Sequence, residues 1–183
     1  MVIDDLHAHG LLPATVKALV RVPVRDVLES KCNDIFTYWD NLRDGRPAPG
    51  WREFHLEQLA PAIVAFVRVV DIEREPFDIR YRFWGTGLVR VLGHDRTGKR
   101  LSELPLKRVT QAMAEFRTVV EERAPYGLIY NATTSKRTGA LYAPAIRLPI
   151  MDDGETVTKI VAFTDFNADQ AKWRQLLEER NEG

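Results

Sequence analysis

The sequence holds a single cysteine, Cys32, among 183 residues. An internal disulfide framework is therefore excluded, and a lone thiol suits a reducing cytoplasm. As a side chain, Cys32 reads more plainly as a core residue than as a redox switch. Charge of neither sign is in excess: 26 Lys and Arg balance 26 Asp and Glu, for a net charge of zero. That balance argues against a broad phosphate-binding surface and so against a nucleic-acid partner, leaving room only for local patches. No apolar run approaches the ~20 residues of a membrane-spanning helix. The longest, Ala62 to Val70, is interrupted by Arg68, and no membrane insertion is expected. The first residues carry Asp4 and Asp5 and lack a basic region leading into an apolar run, so no signal peptide is expected.

Catalytic and metal-binding patterns are also scarce. None of Ser30, Ser102 and Ser135 sits in a Gly-x-Ser-x-Gly turn. The carboxylates are scattered, with Asp78 predicted on an outward strand face, and no His/Asp/Glu cluster has metal-ligand spacing. His7 and His9 could hold a metal only with ligands from elsewhere, and a solvated terminus is the plainer reading. Gly85-Thr86-Gly87 lacks the third glycine of a dinucleotide loop, because Arg90 stands in its place. There is no internal repeat and no low-complexity segment. The sequence predicts no catalytic set, no metal site and no enzyme.

What is present is an ordinary globular composition, 45% apolar and 28% charged, enough to bury a core in one domain with extensions. The most informative stretch is Phe77 to Leu104. Phe77, Ile79, Tyr81 and Phe83 alternate with Asp78, Arg80 and Arg82, which predicts a strand with one buried face. Gly85 and Gly87 then turn the chain tightly, Leu88 to Leu92 forms a short helix closed by Gly93, and Thr97-Gly98 makes a second turn.

Around this stretch the remaining elements follow in order. Residues Ala14 to Val22 suit a short helix or a strand. Val24, Val27, Leu28, Ile35, Trp39 and Leu42 share a stripe with Cys32, which predicts one amphipathic helix over residues 24–43. Residues 51–61 predict one or two helical turns, with Leu56 and Leu59 inward. The run Ala62 to Asp71 reads as a strand after a short helical start, joined by Asp71 to Pro76 to the strand at Phe77. Pro105 suits the first turn of the best helix, whose stripe is Val109, Ala112, Met113, Phe116, Val119 and Val120. Strands are predicted over Tyr126 to Thr133, Ala140 to Ile150 and Thr156 to Phe166, with a polar turn at Thr134 to Gly139 and a hairpin turn at Asp153-Gly154. Asn167 with Gln170 is predicted to cap a terminal helix whose apolar face is Trp173, Leu176 and Leu177.

Two motifs add a resemblance. Tyr38-Trp39 with Leu42-Arg43-Asp44-Gly45-Arg46-Pro47 resembles the YW…LR.GR.P opening of a family of bacterial PAS-like proteins. Phe83-Trp84-Gly85-Thr86-Gly87-Leu88, Leu92-Gly93, Thr97-Gly98 and Leu101 resemble its GT.L…G…TG..L core, and Asp165-Phe166 suits the last PAS strand. The resemblance spans residues 35–166; it departs at His55-Leu56, where a helix start of Asp-Pro type is usual, and at Leu59-Ala60-Pro61. It implies an α+β fold: a five-stranded antiparallel sheet with helices on one face, plus N- and C-terminal helices. Residues 1–50 would be an extension bearing the amphipathic helix, residues 51–167 the PAS-like domain and residues 168–183 a terminal helix.

The same resemblance frames function. It implies a cytoplasmic, bacterial, non-catalytic sensory or regulatory domain that binds a small ligand or a signalling partner. A homodimer through residues 24–42 is expected, and the length leaves no room for an output module. The expected pocket lining is Tyr81, Phe83, Leu88, Leu92, Met113, Phe116, Tyr130 and Tyr142, although a plain filled core would use the same residues. Arg147, amid apolar neighbours, would meet a ligand carboxylate or point outward to solvent. Arg80, Arg82, Arg90, Arg96, Lys99 and Arg100 would form a basic edge for an anion or an acidic partner, or a solvated face. The cofactor is left open. Haem-binding PAS domains use a histidine on a helix, whereas His94-Asp95 falls in a loop; photosensing LOV domains need a cysteine where Thr86 to Gly98 has none. The alternatives are an interaction scaffold with a filled core, and a small α+β-cup enzyme of isomerase or dehydratase type, which would require a buried polar dyad.

Overall fold

The structure, a computed structural model, describes residues 15–104, 109–133 and 140–181. Among these, six strands form one antiparallel sheet. They are β1 (Thr15–Val22), β2 (Val67–Arg74), β3 (Phe77–Trp84), β4 (Tyr126–Thr133), β5 (Ala140–Ile150) and β6 (Lys159–Thr164), in the spatial order β1-β4-β5-β6-β2-β3. The helices are α1 (Val24–Val27), α2 (Cys32–Arg43), α3 (Pro61–Val64), α4 (Thr86–Leu92), α5 (Val109–Glu122) and α6 (Gln170–Asn181). His7, His9, Pro105 and the turn expected at Thr134 to Gly139 lie outside the described residues.

The α+β class is as the sequence implies, but the sheet has six strands rather than five. The additional strand is β1, the segment whose periodicity fits a helix or a strand. It pairs with β4 from Thr15↔Thr133 to Val22↔Gly127. Gly127 permits the close approach at its end, since a Cβ there would meet the Val22 carbonyl oxygen at 2.9 Å.

The helix expected over residues 24–43 is broken in two. Between α1 and α2 the Ser30 hydroxyl donates to the Val27 carbonyl and accepts the Cys32 N–H, replacing the helical ladder with side-chain bonds. The buried Asp165 carboxylate takes the Lys31 N–H at the start of α2. Val27, Cys32, Ile35 and Trp39 are all buried within this chain, and Trp39 Nε1 donates to the Pro149 carbonyl at 2.7 Å. These four residues of the stripe face the chain's own core, while Val24, Leu28 and Leu42 are half-buried.

Both faces of the sheet are covered. Residues 143–150 of β5 are buried without alternation, which a central strand requires when each face has a roof. On one face α5 lies over Arg147. On the other, α1, α2 and α6 pack against β4, β5 and β6. The terminal helix starts later than expected: Asp169, not Asn167, accepts the Ala171 N–H at its first turn. Gln170 Oε1 accepts the Tyr142 N–H on the part of β5 that β6 does not reach.

The hairpin β2–β3 is longer than expected, because Glu75-Pro76 alone connects Arg74 to Phe77. Its ladder is irregular between Val69↔Phe83 and Val70↔Tyr81. That β-bulge resets the alternation of β3, so Trp84 rather than Phe83 continues the face of Tyr81; their rings meet edge-on at 5.0 Å. Asp78, predicted outward, is buried and accepts bonds from the Ile79 N–H and the Ser102 hydroxyl.

Candidate functional site

Strand register builds a single row across the sheet. Trp84 pairs with Arg68, Arg68 with Ala162, Ala162 with Arg147, and Arg147 with Tyr126. Paired residues project to the same face, so two arginines stand on one face with only an alanine side chain between them. Both are interior: Arg68 is 4% exposed and Arg147 1%. Ala143 and Ala145 add small side chains on the same face of β5, alternating with Pro144, Ile146 and Leu148 on the other.

The roof comes from α5, whose buried residues are Glu115, Phe116 and Val119. Glu115 Oε2 lies 2.7 Å from Arg147 Nη2, and the Arg147 guanidinium stacks over the Phe116 ring at 4.2 Å. Arg68 donates to the Tyr130 hydroxyl and lies over the rings of Tyr130 and Trp84 at 5.4 and 6.0 Å. At the margin the half-buried Arg96 lies over Trp84 at 5.1 Å and contacts His94 at 2.6 Å.

The cluster is cationic. Guanidinium groups do not lose their protons in the physiological range, and two fully buried ones face one buried carboxylate, Glu115. Burial raises the Glu115 carboxyl above its usual range, outweighing the pull of Arg147 and Arg68. For Arg147 burial acts against the charge, but Glu115, Tyr130 and Tyr81 outweigh it and hold its pKa above the usual value. Burial raises the Tyr81 hydroxyl against the pull of Arg68 and Arg96. Polar atoms in and around the cluster also lack hydrogen-bond partners: Arg147 Nε and Nη1, Arg96 Nε, Trp84 Nε1, both Glu115 oxygens and Thr164 Oγ1. The 2.7 Å contact of Glu115 with Arg147 is thus a charge contact rather than an aligned hydrogen bond. Buried polar groups ordinarily find partners, and the described residues concentrate the exceptions here.

The sequence candidates separate on this geometry. Tyr81, Tyr130, Phe116 and Arg147 come together around the arginine row. Leu88 and Leu92 are buried in the core on α4, while Phe83 and Met113 are half-buried. Tyr142 is half-buried on the opposite face: five residues from Arg147 in a regular strand, it is close enough to Arg174 of α6 to influence its charge. Sequence reading missed Arg68, Trp84 and Glu115 as site residues and placed Arg96 on the basic edge rather than beside Trp84. The signal was a charged residue inside an apolar pattern, Arg68 within Val67–Val70 and Glu115 on the stripe of α5.

Other motif residues prove architectural. Arg46 donates to the carbonyls of Leu42 and Arg43 and pairs with Glu53 at 2.7 Å, closing the end of α2. A Cβ at Gly85 would meet the Ala65 carbonyl oxygen at 2.3 Å, so this glycine allows backbone to touch backbone. On the basic edge Arg80 and Arg100 share Glu73, and Arg82 pairs with Asp71. His94, in the loop after α4, has its pKa lowered by partial burial and Arg96. A surface groove of about 420 Å³ is lined by Arg21, Val22, Pro23, Val24, Pro125, Tyr126 and Gly127. It reaches the row only at Tyr126, where Arg21 covers the ring at 4.7 Å. Among the described residues, no helix is long and apolar enough to cross a membrane.

A family profile described as "PAS domain" matches residues 28–163. A solved structure described as "Structure of an RNA-binding Light-Oxygen-Voltage Receptor" is similar at 12% identity and a TM-score of 0.42, over 93% of this chain. This chain spans 45% of the length of that one. No curated protein matches.

Proposed function

The chain belongs to the PAS domain family, and from that premise we propose that it is a non-catalytic sensory domain taking a small ligand between α5 and the sheet. One observation supports this above the others: Arg68 and Arg147 are both buried, with a single buried carboxylate beside them and unpartnered donors around them. A core selected for stability alone has no use for such a group, because apolar side chains of similar volume serve as well or better. The arrangement therefore favours a ligand site over a filled-core scaffold. Signal would leave through a partner protein that reads the state of the domain; of the stripe on α1 and α2, Val27, Cys32, Ile35 and Trp39 already pack within the chain.

A small cup enzyme is the second reading, and the Glu115–Arg147 contact is the buried polar dyad it requires. Two of the serines have structural duties, Ser30 at the α1–α2 break and Ser102 on Asp78. One experiment separates the readings. The purified chain is denatured and the released small molecules are analysed by mass spectrometry. One compound at one per chain supports sensing; a substrate and its product together support the enzyme; nothing released supports the scaffold.

A further inference from the structure

Resting on that reading of the site, we infer that the ligand is a small organic carboxylate, held by the guanidinium groups of Arg147 and Arg68. Charge comes first. Among the described residues the two arginines of this cluster meet one carboxylate, Glu115, because the other buried acids, Asp78 and Asp165, bond the Ser102 hydroxyl and the Lys31 N–H elsewhere. That leaves one positive charge uncompensated, and Arg96 adds a second at the margin. A buried charge without a counter-charge is among the least favourable groups a protein can hold, so the missing component is an anion. Outside the described residues, positions 105–108 and 134–139 contain Lys107, Arg108, Lys136 and Arg137 and no acid, and the acids at the remaining positions are Asp4, Asp5 and Glu182.

Geometry narrows the class. Arg147 Nε and Nη1 are buried donors without partners, to either side of the nitrogen that faces Glu115. Arg68 reaches the same carboxylate electrostatically, so Glu115 feels both arginines. Their strands flank β6, which places their Cα atoms roughly 10 Å apart, two strand spacings, with only Ala162 between. A carboxylate offers two oxygens, each able to accept a charge-assisted bond from a different guanidinium. The surrounding side chains are Tyr81, Trp84 and Phe116, which suit an apolar or aromatic body. Guanidinium groups also bind phosphate, so inorganic phosphate is the competing anion in the test.

The test uses the full chain in thermal denaturation. Sodium acetate, benzoate and succinate are each compared with acetamide, benzamide and succinamide, and with chloride and inorganic phosphate at equal ionic strength. At least one carboxylate is expected to raise the midpoint saturably by several degrees at a hundredfold excess over its Kd, with its amide inert. The double variant Arg147→Met/Glu115→Met, which removes both charges and keeps apolar volume, should fold and lose the response. Arg147→Lys, which keeps the charge without the planar fork, should weaken it at least tenfold. The carboxylate assignment is overturned if an amide or phosphate acts as well as the acids, if no acid exceeds chloride, or if the double variant responds like the wild type. The ligand-site reading fails separately, when no small molecule is released from the denatured protein.

Discussion

Arg68 and Arg147 are both paired in register with the same residue, Ala162. Two long cations thus project from strands on either side of β6 toward α5, where Glu115 meets one of them at 2.7 Å. This relationship yields an asymmetric mutational pattern. Removing one partner of a buried ion pair costs about 3–5 kcal/mol, because the other is left uncompensated. Glu115→Ala should therefore destabilise strongly, measured by urea denaturation. Replacing Glu115 and Arg147 together by Met should restore stability to within about 1 kcal/mol of wild type, or exceed it. A double variant as unstable as the single one would show that packing, not charge, governs this site.

Gly85 and Gly98 lie in the same motif but answer to different constraints. A Cβ at Gly85 would strike the Ala65 backbone at 2.3 Å, whereas Gly98 has open space and a φ of +81°. Gly85→Ala should cost at least about 1–3 kcal/mol by overpacking. Gly98→Ala should cost about 1 kcal/mol, from left-handed backbone alone. Equal losses in urea midpoints would contradict this distinction.

Trp39 anchors α2 through its indole N–H on the Pro149 carbonyl. Trp39→Phe keeps an aromatic ring but leaves a buried carbonyl unpaired, an expected loss of about 1–3 kcal/mol. Equilibrium unfolding of the variant tests it; a change below a few tenths of a kcal/mol would mean that water takes over the bond.

The pH dependence centres on Cys32. Burial, helped by Asp165 and opposed by Ser30, pushes its thiol up to about 12 from a usual value of 9.0. The folded thiol keeps its proton where the unfolded one has lost it. Its contribution is thus complete below pH 9.0 and is lost as pH rises toward about 12, at about 1.4 kcal/mol per pH unit. Wild type should lose stability more steeply than Cys32→Ala across that range. Parallel curves would show that the thiol ionises as readily in the folded protein.

Much of the fold is legible in the sequence, because periodicity reports burial. The alternation of Phe77, Ile79 and Tyr81 and the stripe of α5 appear as β3 and α5. Three features escape this logic. A bulge at Arg82 shifts the pattern by one residue, and no local residue type announces it. Ser30 breaks a helix by offering its hydroxyl to the backbone, against an apolar spacing that continues across the break. The strand β1 depends on an edge of β4 more than a hundred positions away. The site was half legible. Arg147 reads as a charge among apolar residues, but Arg68 looks like an interruption and Glu115 like an ordinary helix carboxylate. Only register across three strands and the placement of α5 bring them together.

The arginine row is expected to hold one small molecule per chain. Native mass spectrometry of the wild-type chain beside Arg147→Met/Glu115→Met tests it most directly. The expected spectrum shows wild type with one bound small molecule per chain, and the folded double variant at its bare mass. Two bare proteins, or two equally loaded ones, would contradict the claim.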